Sequence, residues 1–119
     1  RHLTLEQTIA TGFGEGFIVP KNLTDKQKER IKSLANELEL DLNAEFGQSS
    51  LSKQKQALFA RALVNDPKIL ILDEAFSTLN RAEITTAFKV LDNYQGAVLV
   101  VSHNQEEIPD CDNTLNLSN

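Results

Sequence analysis

The 119-residue sequence has no methionine and no tryptophan, a single cysteine (Cys111), and only three prolines and five glycines. A lone cysteine excludes an intrachain disulfide framework and any paired-cysteine zinc spacing, and it fits a reducing compartment. Lacking methionine, the chain does not start at an initiator residue. It opens at Arg1 within what reads as an element and stops at Asn119 just after a strand-like run, so a piece of a longer protein is expected, with a tag-removed intact domain as the alternative. No apolar run is long enough to cross a bilayer and no secretory signal is visible. Basic residues are in deficit, 12 against 17 acidic for a net charge of −5. None gathers into a block, which argues against a phosphate-tracking nucleic-acid surface. Internal repeats and low-complexity tracts are absent as well.

What is present is ordinary globular composition, 40% hydrophobic and 24% charged, enough for at most one modest domain. The central stretch is Ile69-Leu70-Ile71-Leu72-Asp73-Glu74, four apolar residues running into two carboxylates. It follows Asp66-Pro67-Lys68 and reads as a fully buried strand of a parallel sheet. Open α/β sheets place ligands beyond the carboxyl ends of their strands, where Asp73 and Glu74 stand. If the strand persists through both, their side chains point to opposite faces and take different roles. One can hold a hydrated cation while the other aligns a water; the plainer alternative is two acids that solvate a strand end.

Around this strand the periodicity predicts helices. Residues 3–13 carry an apolar stripe, with Thr4 and Gln7 spaced for a capping box, and the glycines at 12, 14 and 16 end it in a turn. Thr24 with Gln27 opens a second helix whose Ile31, Leu34, Ala35 and Leu38 share one face, leaving the charges of residues 26–32 solvated. Residues 42–50 form a polar connection. Ser49-Ser50-Leu51-Ser52 then leads into a helix-forming run to Val64, where serine hydroxyls cap free backbone amides that can equally hold a phosphate. Arg61 is expected to reach an acceptor at the helix surface. After a loop at 75–80, residues 82–94 read as a helix closed by Gly96. Residues 97–102 read as a second buried strand, with His103 at its end, level with the two carboxylates. Residues 114–117 alternate as a third strand.

This order of segments resembles the C-terminal portion of the nucleotide-binding domain of an ABC-type ATPase, over nearly the whole chain. Residues 3–12 resemble the opening of the family's helical subdomain, and residues 49–63, ending in Ala60-Arg61-Ala62-Leu63, its signature segment and helix. Residues 67–74 resemble its Walker B strand, Ser77-Thr78-Leu79-Asn80 its D-loop, and residues 98–103 its switch-histidine strand. Glu106-Glu107-Ile108-Pro109 is similar to a tail of molybdate-type ATP-binding proteins. The resemblance implies an α/β, partial P-loop NTPase fold, with a helical subdomain over residues 1–65 and part of the α/β core over residues 66–119. It further implies ATP with Mg2+, the metal held by Asp73 through water. Glu74 would orient the attacking water, His103 would contact the γ-phosphate, and Ser50, Ser52 and Asn80 would face nucleotide bound on a second ATPase domain in a head-to-tail pair. Transmembrane permease subunits docking on residues 3–42, and a cytoplasmic place at the inner face of a membrane, follow from the same likeness.

The departures are specific. Where the family usually has Leu-Ser-Gly-Gly-Gln, the gapless register gives Ser49-Ser50-Leu51-Ser52-Lys53; a register using Leu51-Ser52 needs a two-residue deletion. Asn80 stands where the D-loop usually carries Asp. The Gly-x-x-x-x-Gly-Lys-Ser/Thr pattern (Walker A) occurs nowhere in the 119 residues, so the chain alone is expected to bind ATP poorly and hydrolyse none. Absence of that strand would bare an apolar sheet edge open to self-association. The resemblance is thus to a transporter ATP-binding subunit, with a non-transport ABC ATPase or a non-catalytic interaction module as alternatives.

Overall fold

The structure is a computed structural model, and it describes residues 2–14, 16 and 18–102. Helix α1 (Leu5–Ala10) starts at Thr4, whose hydroxyl accepts from the Gln7 amide at 3.1 Å while the Gln7 side chain accepts from the Thr4 amide at 3.0 Å. It tightens into a single 3-10 turn over Thr11–Phe13. Helix α2 (Asp25–Glu37) has the same reciprocal cap between Thr24 and Gln27, and buries Ile31, Leu34 and Ala35. Both capping boxes lie where Thr-x-x-Gln places them. The 42–50 connection is less free than its polarity implies. The Leu5 amide donates to the Ala44 carbonyl and the Phe46 amide to the Leu3 carbonyl, both at 2.8 Å, around an isolated antiparallel bridge between Thr4 and Glu45.

Helix α3 (Leu51–Leu63) packs along α1 and passes into strand β1 (Ile69–Asp73). Helix α4 (Arg81–Asp92) is the crossover to strand β2 (Ala97–Val101), which pairs parallel to β1 with Ile69 opposite Ala97 and Asp73 opposite Val101. One hydrophobic cluster runs from α1, α2 and α3 into β1 and α4.

The strands depart from the expectation of burial on both faces. Leu70 and Leu72 enter the core, whereas Ile69 is 69% and Ile71 62% exposed, and Leu99 on β2 is 49% exposed. Among the described residues helices cover one side of the pair only, and the pleat sends every second side chain to the other side. No helix among the described residues is long and apolar enough to cross a membrane.

Two glycines are needed for close approach. A Cβ on Gly12 would stand 2.3 Å from the Arg61 carbonyl oxygen and 2.6 Å from Val64 Cγ1, so the 3-10 turn lies directly against the end of α3. Arg61 closes this junction, donating from Nε to Thr11 Oγ1 at 2.7 Å and from its guanidinium to the Gly16 carbonyl. Gly96 does not act as the expected helix stop. Helix α4 ends at Asp92 with Asn93 as its cap, and Gly96 instead lets the chain pass the Pro67 and Lys68 carbonyls, which a Cβ would meet at 2.7 and 2.9 Å.

Candidate functional site

The site is built at the carboxyl end of β1. Asp73 is the last strand residue and its side chain is exposed. The strand does not persist to Glu74, so the pleat does not set these two side chains on opposite faces as expected. Glu74 instead has a left-handed backbone, φ +53°. For a residue with a Cβ that conformation costs on the order of 1–2 kcal/mol. Glu39 and Asp66 share the left-handed backbone, so at Glu74 it is the surrounding contacts, and not φ alone, that mark the position.

The surroundings here are identifiable. The Glu74 amide donates to the Val101 carbonyl on β2 at 2.8 Å, and its own carbonyl accepts from Lys55 Nζ on α3 at 3.3 Å. Two residues on, Phe76 is 1% exposed and sets its ring edge-on to Phe59 and Phe88, with centroids 5.5 and 5.7 Å away. The loop that leaves the strand is therefore pinned into the core immediately after Glu74.

Ser50 is the N-cap of α3. Its hydroxyl accepts from the Lys53 amide and lies within hydrogen-bond distance of the Ser52 hydroxyl, both at 3.2 Å. Asn80 is the N-cap of α4, accepting from the Glu83 amide at 2.8 Å while its own amide donates to the Glu83 carboxylate at 2.9 Å. Both residues thus hold helix starts. His103, the 106–109 tail, Cys111 and the strand expected at 114–117 lie outside the described residues.

Among the described residues no group of three or more His, Cys, Asp or Glu side chains is arranged to hold a metal ion. Lys55, Phe76 and Glu83 were not singled out by sequence. The Asn-x-x-Glu spacing of residues 80–83 does signal a capping box. Nothing in sequence pairs Lys55 with a residue 19 positions away.

No protein-family model matches the chain. An uncharacterized ABC transporter ATP-binding protein of Saccharomyces cerevisiae is 36% identical over 97% of the chain and 23% of its own length. The thiamine import ATP-binding protein ThiQ of Yersinia pestis is 33% identical over 89% of the chain and 46% of its own length. The dimeric structure of a bacterial ABC transporter cassette superposes with a TM-score of 0.63 at 20% identity, covering 83% of this chain and 46% of that one. The chain belongs to the ABC ATPase family. It spans between about a quarter and half the length of these ABC relatives. The structural match, at its low identity, bears on the fold, and the mixed helical and parallel-strand architecture is that of part of an ABC ATPase domain.

Proposed function

We propose that this chain is the part of an ABC transporter ATP-binding subunit that completes ATP hydrolysis, with residues 1–65 as its helical portion and residues 66–119 as part of its α/β core. The observation behind this reading is Glu74, held in a left-handed backbone at the end of a parallel strand, directly after Asp73. A carboxylate at this position would accept a proton from, and orient, a water attacking the γ-phosphate. Asp73 would hold Mg2+ through water, and the ion would neutralise charge on the β- and γ-phosphates. His103 would contact the γ-phosphate. Ser50 and Ser52, at the start of α3, would face nucleotide bound on a second ATPase domain in a head-to-tail pair, with Asn80 at the same junction. Transmembrane permease subunits and a cytoplasmic position at a membrane belong to the same proposal, supported by the transport names of the relatives.

The chain by itself is proposed to be inactive, since it has no phosphate-loop pattern to hold the β- and γ-phosphates. The test is calorimetric titration of Mg-ATP into this chain and into the full natural polypeptide that contains it. Binding by the longer protein alone, with Glu74→Gln retaining ATP unhydrolysed, supports the reading. Absence of binding in both replaces it with a non-catalytic interaction module, which the departures at Leu51, Ser52 and Asn80 favour.

A further inference from the structure

Glu74 leaves the strand through a conformation that its own side chain disfavours, so neighbouring groups must hold it there. Its amide is held from β2 by the Val101 carbonyl. Its carbonyl accepts from Lys55 Nζ on α3. Lys55 is half-buried in the second turn of α3, where an ammonium bonded to a carbonyl oxygen is charge-assisted and partly shielded from competing water. The contact reaches Glu74 from a different element, α3.

We propose that Lys55 is a positioning residue for Glu74: by holding the Glu74 carbonyl it keeps the backbone left-handed and aims the carboxylate at the attacking water. The proposal rests on the ATPase reading of Glu74. It also makes the helix that begins at Ser50 a direct support of the hydrolytic carboxylate.

The test uses the full natural polypeptide, with Lys55→Met to remove the donor and Lys55→Arg to restore one. Backbone chemical shifts of isotopically labelled glutamate report the conformation at residue 74, the resonance being assigned by its loss in Glu74→Gln. Steady-state ATP hydrolysis is measured alongside. With Lys55→Met the Glu74 shifts move out of the left-handed range, and kcat falls about ten- to hundredfold, as expected for a misplaced reacting group. KM for ATP stays unchanged, and Lys55→Arg recovers both the shifts and the rate. Unmoved shifts and an unchanged kcat in Lys55→Met overturn the proposal. If Lys55→Met loses its fold by circular dichroism, the comparison passes to Lys55→Gln, judged by the same shifts and rate. Should the shifts move while Glu74→Gln leaves hydrolysis unaffected, Lys55 still positions residue 74 and it is the ATPase role of Glu74 that fails.

Discussion

The rings of Phe76 and Phe59 meet edge to face, 5.5 Å between centroids and 67° between planes, and this contact ties the loop after Asp73-Glu74 to the middle of α3. Edge-on aromatic pairs add to the burial of the rings themselves. Removing the ring by Phe76→Ala is expected to cost about 3–5 kcal/mol, the usual range for a buried phenylalanine. Urea denaturation of the two proteins measures it, and a loss below 1 kcal/mol would mean that Phe76 is not the anchor described.

At Gly12 the expected effect is steric. Gly12→Ala sets a methyl against the Arg61 carbonyl, a backbone atom that cannot swing aside, whereas at Gly14 the nearest atom to a new Cβ is 3.8 Å away. Gly12→Ala should therefore destabilise by about 1–3 kcal/mol, the cost of overpacking a close-packed contact. Gly14→Ala should be nearly neutral. Thermal unfolding of the pair tests the difference, and equal midpoints would refute the close approach.

Asn80 caps α4 through its side-chain oxygen, which aspartate also supplies. Asn80→Ala should lose about 1 kcal/mol, while Asn80→Asp should hold or slightly raise stability, with a negative charge favoured at a helix N-terminus. Putting back the acid that the family usually carries in its D-loop therefore leaves the fold intact. On the proposed ATPase reading, a change in ATP turnover of the full polypeptide carrying Asn80→Asp would then reflect the site and not the fold.

Tyr94 donates its hydroxyl to the Pro67 carbonyl, and burial, followed by the nearby Asp66 carboxylate, pushes its pKa above the ordinary tyrosine value despite the opposing Arg30 charge. The folded state keeps this proton longer than the unfolded chain. The stabilisation is full below the ordinary pKa of about 10 and is lost as pH rises through the raised value. Denaturation as a function of pH should show an alkaline fall in the wild type that Tyr94→Phe lacks. At neutral pH the variant should be less stable by about 1 kcal/mol for the missing hydrogen bond. Parallel alkaline slopes would rule out Tyr94 as their source.

Several features were legible in the sequence because their causes are local. A threonine hydroxyl and a glutamine three residues later are brought together by the first turn of any helix, so the caps at Thr4 and Thr24 follow from spacing alone. The stripe of Ile31, Leu34 and Ala35 is periodic in the same way, and β1 and β2 announce themselves as apolar runs separated by a helical segment. The order of these segments also sufficed to place the chain in its family, since each motif keeps its neighbours.

Other features depend on what lies across the fold. An apolar run predicts a strand but not how many of its faces are covered, and here Ile69 and Ile71 emerge on the side that no described helix reaches. Gly96 reads as a helix stop until the Pro67 and Lys68 carbonyls are seen against it. The conformation of Glu74 is the clearest case. Sequence determined that two carboxylates follow an apolar run; tertiary structure decided that the second leaves the pleat, with its amide bonded to Val101 and its carbonyl to Lys55, both distant along the chain.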